Sequence, residues 1–233
     1  MSRPEFLVTA LCLLAAFARG QPTDHVPPME AVASNETHAP SEETATPTLE
    51  PGSSAWEFSI SASVYAVPGE RDYVQPTITA DIDWLHLEAR YNYEDLDTGS
   101  LWAGYNFSGG DQLTWAITPM LGAVFGRTEG VAPGYEITLS WRKLELYSEG
   151  EYVVNTDDSS ESFFYSWSTL TLAPVEWFYF GLVGQRTKVR GGEREYEPGV
   201  IVGFIIDKVD LSAFVLNPED DDPTFVFSFG VSF

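Results

Sequence analysis

The last ten residues, 224–233, constrain this chain more than any other segment. They alternate strictly, with Phe225, Phe227, Phe229, Val231 and Phe233 on one parity and Val226, Ser228, Gly230 and Ser232 on the other. A period of two is that of a β-strand, whose successive side chains point to opposite faces. Neither face carries a charge. A strand of a soluble sheet turns a polar face to water. A strand that turns a tall apolar face to lipid and small side chains to a lumen has the pattern found here. A soluble sandwich, the alternative, would leave several large apolar faces in water.

Carried back along the chain, the same template predicts twelve strands, at about 56–66, 73–82, 84–94, 100–108, 113–127, 133–142, 144–155, 162–173, 176–188, 196–206, 209–217 and 223–233. An even number brings both chain ends to one side of a closed barrel. The connections on that side, near Asp83, 109–112, Lys143, 174–175 and 207–208, are on average shorter than those opposite, at 67–72, 95–99, 128–132, 156–161, 189–195 and 218–222. Trp56, Trp84, Trp115, Trp141 and Trp177 fall near the first side and are expected to form a girdle at a membrane–water interface. Tyr65, Tyr73, Tyr93, Tyr135, Tyr152 and Tyr196 fall near the second, while Trp102 and Trp167 join neither set. The expected fold is all-β, a transmembrane antiparallel up-and-down barrel of about twelve strands.

Ahead of the barrel the composition changes. Residues 1–20 run from Arg3 through an apolar core, Phe6 to Phe17, to Ala18-Arg19-Gly20, the order of a cleaved signal peptide. Cys12, the sole cysteine, lies inside that leader behind Leu11, which is not the small residue a lipoprotein site wants, so no disulfide is expected. Residues 21–54 hold six Pro, six acidic residues, no Lys or Arg and no Phe, Trp or Tyr, a composition that cannot bury enough apolar surface to offset its ordering entropy. They read as a disordered acidic linker, leaving 55–233 as the barrel. The net charge of −23 argues against nucleic acid as a partner.

The closing strand with its terminal Phe233 resembles that of Gram-negative outer-membrane β-barrel proteins. The resemblance is carried by this last segment, and over the rest by architecture. It implies an outer-membrane location with the linker in the periplasm, contact with outer-membrane lipids and lipopolysaccharide, and insertion by the barrel-assembly machinery, for which Phe233 is the assembly signal.

Parity sends His86, Glu88 and Arg90 of the third strand inward, with Glu136 and Arg142 of the sixth and Glu145, Glu149 and Glu151 of the seventh. Between 162 and 206 several strands are apolar on both faces, and their parity stays open. Same-face neighbours on a strand are about 7 Å apart, so Glu149 and Glu151 repel in a low-dielectric interior unless Arg90, Arg142 or a cation stands opposite. A charge network that stiffens the interior is one reading. A carboxylate ring favouring small cationic solutes is the other. The expected function is a small passive, cation-preferring channel. The alternative is a sealed structural or interaction barrel that binds a partner through its linker or outer loops, and an outer-membrane enzyme comes third.

The outer-membrane phospholipase family carries a His and a nucleophilic Ser two residues apart, because a base must reach the hydroxyl it activates. Here the one barrel histidine is His86, and Glu88 stands two residues on. With neither a Ser/His nor a metal motif, no enzymatic role and no cofactor are expected, and His86 reads as an ion-paired lumen residue. The acidic run 219–222 and the basic residues Arg186, Lys188, Arg190 and Arg194 read as solvated loop ends.

Overall fold

A computed structural model describes residues 55–192 and 194–233; the leader and linker expected over 1–20 and 21–54 lie outside the described residues. The strands are β1 (Glu57–Ala66), β2 (Tyr73–Ile82), β3 (Leu85–Tyr91), β4 (Thr98–Tyr105), β5 (Phe107–Gly109), β6 (Leu113–Gly126), β7 (Gly130–Trp141), β8 (Leu144–Asn155), β9 (Phe163–Val175), β10 (Phe178–Val189), β11 (Arg194–Ile206), β12 (Val209–Leu216) and β13 (Thr224–Ser232). The short β5 continues β4 after a break at Asn106, because Gly104 faces Met120 and Phe107 faces Ile117 in one unbroken register on β6. That register puts Tyr105 opposite Pro119, which has no N–H to donate to the ladder. Counted with β4 and β5 as one, twelve antiparallel strands form a single sheet in chain order. The sheet closes on itself where β1 pairs with β13, Ile60 opposite Val231 and Val64 opposite Phe227.

Closure leaves no unpaired edge, and it divides every strand into an outward and an inward parity. Outward, Phe58, Ile60 and Val64 of β1, Leu182 of β10, Val200 and Phe204 of β11, and Phe225, Phe227 and Phe229 of β13 are exposed. Large apolar side chains thus cover the outer wall, and a wall of this kind is stable against lipid and not against water. Inward, Ser59, Ser61 and Ser63 of β1 and Ser228 of β13 are buried. Trp56, Trp84, Trp115, Trp141 and Trp177 are all exposed on the outer wall, at the end of the barrel where the described chain begins and ends.

The tyrosines behave differently. Tyr152 and Tyr196 are exposed near the opposite, loop end, whereas Tyr65, Tyr73 and Tyr93 are buried inside. Tyr65 and Tyr73 stack across the β1–β2 hairpin with ring centroids 4.6 Å apart. Their strand parity is inward, and proximity to a strand end does not override it.

Turn chemistry sets the terminal-end hairpins. Asp83 (φ 50°) and Asp207 (φ 56°) begin two of the turns in the left-handed region, which Asp tolerates better than most residues. Barrel closure at the last strand is short and local: Phe58 and Phe233 exchange both backbone hydrogen bonds at 2.9 Å, and their rings stack at 5.9 Å. Deleting Phe233 removes both interactions, while Phe233→Ala removes only the ring. The deletion is expected to lower the yield of folded barrel severalfold and the substitution less, read as the faster-migrating species of unheated gel electrophoresis. Undiminished yield from the deletion would show that this pair does not limit closure.

Candidate functional site in the lumen

Side chains meet across the barrel at mid-height. Arg90 on β3 donates from Nη2 to Glu88 Oε2 at 2.7 Å and from Nη1 to Glu151 Oε2 at 3.2 Å. Glu151 stands on β8, and β3 and β8 are separated in the ring by β4, β6 and β7, so this ion pair spans the lumen. The Arg90 guanidinium carbon lies 4.0 Å from the Tyr93 ring centroid and 4.7 Å from that of Trp102, so the planar cation is sandwiched between aromatic faces as well as paired. Tyr93 and Tyr147 both donate to Glu149, at 2.8 and 2.7 Å. Trp102 Nε1 donates to Ser100 at 2.9 Å and to Glu94 at 3.3 Å. On the far side, Tyr93 meets Tyr165 edge-on at 6.0 Å, and Trp167 meets Phe214 edge-on at 5.3 Å. Trp102, Tyr93, Tyr165 and Trp167 are 3, 1, 0 and 1 % exposed, values that an inward side chain facing an open channel would not have. Together they form a packed septum.

Local backbone places two of these groups. At Asn92 φ is 55° and at Asp97 it is 57°, so β3 stops at Tyr91 and the chain folds back before β4. Asn92 holds the fold: its side chain donates to Val74 O at 2.9 Å and accepts from the Asp97 N–H at 2.8 Å. Alternation is broken there, which brings the consecutive Tyr93 and Glu94 both inside. Trp102 has room because its neighbours lack side chains. A Cβ on Gly122 would come within 2.5 Å of the indole, and one on Gly134 within 2.9 Å.

On either side of the septum the lumen opens. At the loop end a cavity of about 720 Å³ is lined by Glu70, Glu195, Glu197, Glu219 and Asp220 among others, with no Lys or Arg in its lining among the described residues. Glu197 is held there by Gln185 Nε2 at 2.8 Å and Asn217 Nδ2 at 3.2 Å. At the terminal end the inward-facing Glu136, Thr138 and Ser140 of β7 and Asp210 of β12 are only partly buried. Ser140 donates to Glu145 at 2.7 Å, and Tyr179 donates to Asp210 at 2.9 Å.

His86, Glu88, Arg90, Glu149 and Glu151 are buried within the lumen, and Glu136 and Glu145 lie on its terminal side. Arg142 does not line it. The strand ends at Trp141, and φ of 57° turns Arg142 into the two-residue connection to β8, where it is exposed and its guanidinium lies 4.9 Å from the Trp141 ring. Arg142 therefore belongs with the Trp girdle, and Arg90 alone carries the mid-lumen countercharge expected of the two. His86 pairs through Nδ1 with Asp81 at 2.9 Å. Sequence reasoning missed the septum aromatics. The signal that locates them is the combination of inward parity at Trp102 with glycines at inward positions of neighbouring strands, since Gly inside a strand marks close approach of another group.

No family model and no curated protein matches the chain. Among solved structures it is similar to the outer-membrane protein OmpT of Vibrio cholerae in two forms. One lacks loop L8 (7 % identity, TM-score 0.35, covering 77 % of this chain and 98 % of that one), and the other was folded in vitro (7 % identity, TM-score 0.36, covering 77 % and 97 %).

Replacing Arg90 by Met strands Glu88 and Glu151 without their cation, so unfolding in urea is expected to become easier by about 3–5 kcal/mol. Adding Glu88→Gln and Glu151→Gln to the same chain removes the stranded charges and is expected to restore much of the loss. Gly122→Ala is expected to displace the Trp102 indole, seen as a red shift of tryptophan emission in the folded barrel.

Proposed function

We propose that the chain is an outer-membrane barrel closed to the passage of solutes, with its loop end outward. Its work is done at its two mouths and along its outer wall, as an interaction or structural barrel. The observation that carries this reading is the septum. The Arg90 to Glu151 pair and the Tyr93 to Tyr165 contact join walls that are not neighbours, and the inward aromatics between them are out of reach of water. A carboxylate ring that filtered ions would have to be wet, because conduction needs sites that an ion can leave as well as enter. Glu149 and Glu151 are buried, and both are engaged by Tyr or Arg donors.

The location in the outer membrane follows from the alternating closing strand, the apolar outer wall and the Trp girdle, which together suit a lipid bilayer with two interfaces. Lipids and lipopolysaccharide are the partners this wall fits, and the barrel-insertion machinery is the assembly partner that Phe233 fits. The acidic loop-end cavity, without a basic residue among the described residues that line it, suits a cationic partner.

Planar-bilayer recordings of the refolded protein in KCl test the closure. Wild type is expected to be silent, and the combined Trp102→Ala, Tyr165→Ala and Trp167→Ala variant is expected to show steady conductance steps. Steady cation-selective current through wild type, lost when Glu145, Glu149 and Glu151 are replaced by Gln, would overturn the sealed reading in favour of a channel.

A further inference from the structure

The septum leaves a cluster of donors at its terminal-side face that the sealed-barrel reading does not use. His86 of β3, Glu88 of β3 and Glu136 of β7 each bring a ligand atom within 4.8 Å of the other two. His86 is buried, and its Nε2 has no hydrogen-bond partner. Its other nitrogen is committed: Nδ1 lies 2.9 Å from Asp81 Oδ1, an oxygen that also accepts from Asn106 Nδ2 at 2.8 Å. Asn106 is itself fixed by Thr118, which donates to its Oδ1 at 2.7 Å.

In the neutral imidazole that a metal requires, a carboxylate on Nδ1 sets the tautomer whose Nε2 lone pair is free, the arrangement that orients histidines toward metal ions. Nε2 points to Glu88 Oε2 at 3.6 Å, too long for a hydrogen bond. Two donors on one tetrahedral ion, each at about 2.1 Å, stand about 3.4 Å apart. The observed gap is close to that of co-ligands, and without an ion it is the ion-pair distance of a protonated His86 whose proton a metal would displace. Glu88 Oε2 accepts one N–H from Arg90 and keeps a second lone pair for an ion.

Charge points the same way. Asp81, Glu88, Glu136 and Glu151 surround this face of the septum, and Arg90 is shared between Glu88 and Glu151. Carboxylates in surplus over cations at a partly buried site are stabilised by a bound metal. Glu136 and Asp81, both only partly buried, leave a route in from the terminal-end mouth.

We propose that His86, Glu88 and Glu136 form a binding site for one first-row divalent cation of the Zn²⁺ class at the floor of the terminal-end mouth, with Asp81 as the residue that orients His86. One imidazole and two carboxylates suit a borderline ion better than Ca²⁺ or Mg²⁺, which favour all-oxygen shells. Three protein ligands leave a fourth position for water.

The test uses the full chain, refolded in detergent and stripped with chelator. It is titrated with Zn²⁺ by calorimetry and with Co²⁺ by visible absorption, in excess Mg²⁺. Expected are one saturable site and the intense d–d bands of tetrahedral Co²⁺. His86→Ala should abolish both. Glu136→Gln, nearly isosteric and at a partly exposed position, should weaken binding at least tenfold, and Asp81→Asn about 10- to 100-fold. Absence of saturable binding in wild type overturns the site. So does binding undiminished by both His86→Ala and Glu136→Gln, which would assign the ion to His25, His38 or the acidic loops. Conductance is a separate readout, so failure here leaves the sealed-barrel reading standing, and the reverse also holds.

Discussion

A bilayer interior offers no water to hydrogen-bond a backbone, so every N–H and C=O crossing it must find a partner in the protein. For a sheet that requirement is met only by closure, and here closure is the antiparallel pairing of β1 with β13. Everything else in the molecule depends on it. A closed ring gives each strand one wall facing lipid and one facing the lumen, and it brings residues far apart in the chain, such as Arg90 and Glu151, to opposite sides of a common interior. The exchange of backbone bonds between Phe58 and Phe233 completes the ring at its terminal rim.

What occupies the lumen is then a matter of volume and charge. Twelve strands enclose more space than eight, whose interior side chains suffice to fill it, and less than the sixteen or more that leave an aqueous channel. In this barrel the intermediate volume is filled at mid-height by Trp102, Trp167, Tyr93 and Tyr165, and the surplus is left at the two mouths. Carboxylates outnumber cations inside. The arrangement handles the excess by distributing donors, with Arg90 between Glu88 and Glu151, two tyrosine hydroxyls on Glu149 and an indole N–H on Glu94. A buried network of this kind rigidifies the interior when its members are satisfied. Among the described residues His86 Nε2 is buried at its terminal face without a hydrogen-bond partner, and the proposed metal site sits there.

Strand positions were legible because lipid and lumen impose opposite demands on alternate residues. The expected limits 73–82, 144–155 and 209–217 lie within a residue of β2, β8 and β12. Inward placement of His86, Glu88 and Arg90 reads directly from that alternation. It fails at Arg142 and at Tyr93, which alternation turns outward, for one shared reason: a positive φ, at Arg142 and at Asn92, ends the strand earlier than the residue types suggest. Neither Arg142 nor Asn92 is glycine, so composition gives no warning. The parity of β9 to β11, open in the sequence because both faces are apolar, is set by pairing, with Tyr165, Trp167, Val183 and Ile201 inward.

By itself the sequence determined the class of fold, the approximate strands, the sidedness of the tryptophans and the acidic character of the interior, because each of these follows from local alternation or from composition. Tertiary structure decided what fills the interior at mid-height. That depends on which non-neighbouring strands face one another across the ring and on whether glycines such as Gly122 and Gly134 lie where an indole must rest. Such distances are set by barrel closure and shear, which act over the whole sheet at once and leave no trace in any short stretch of chain.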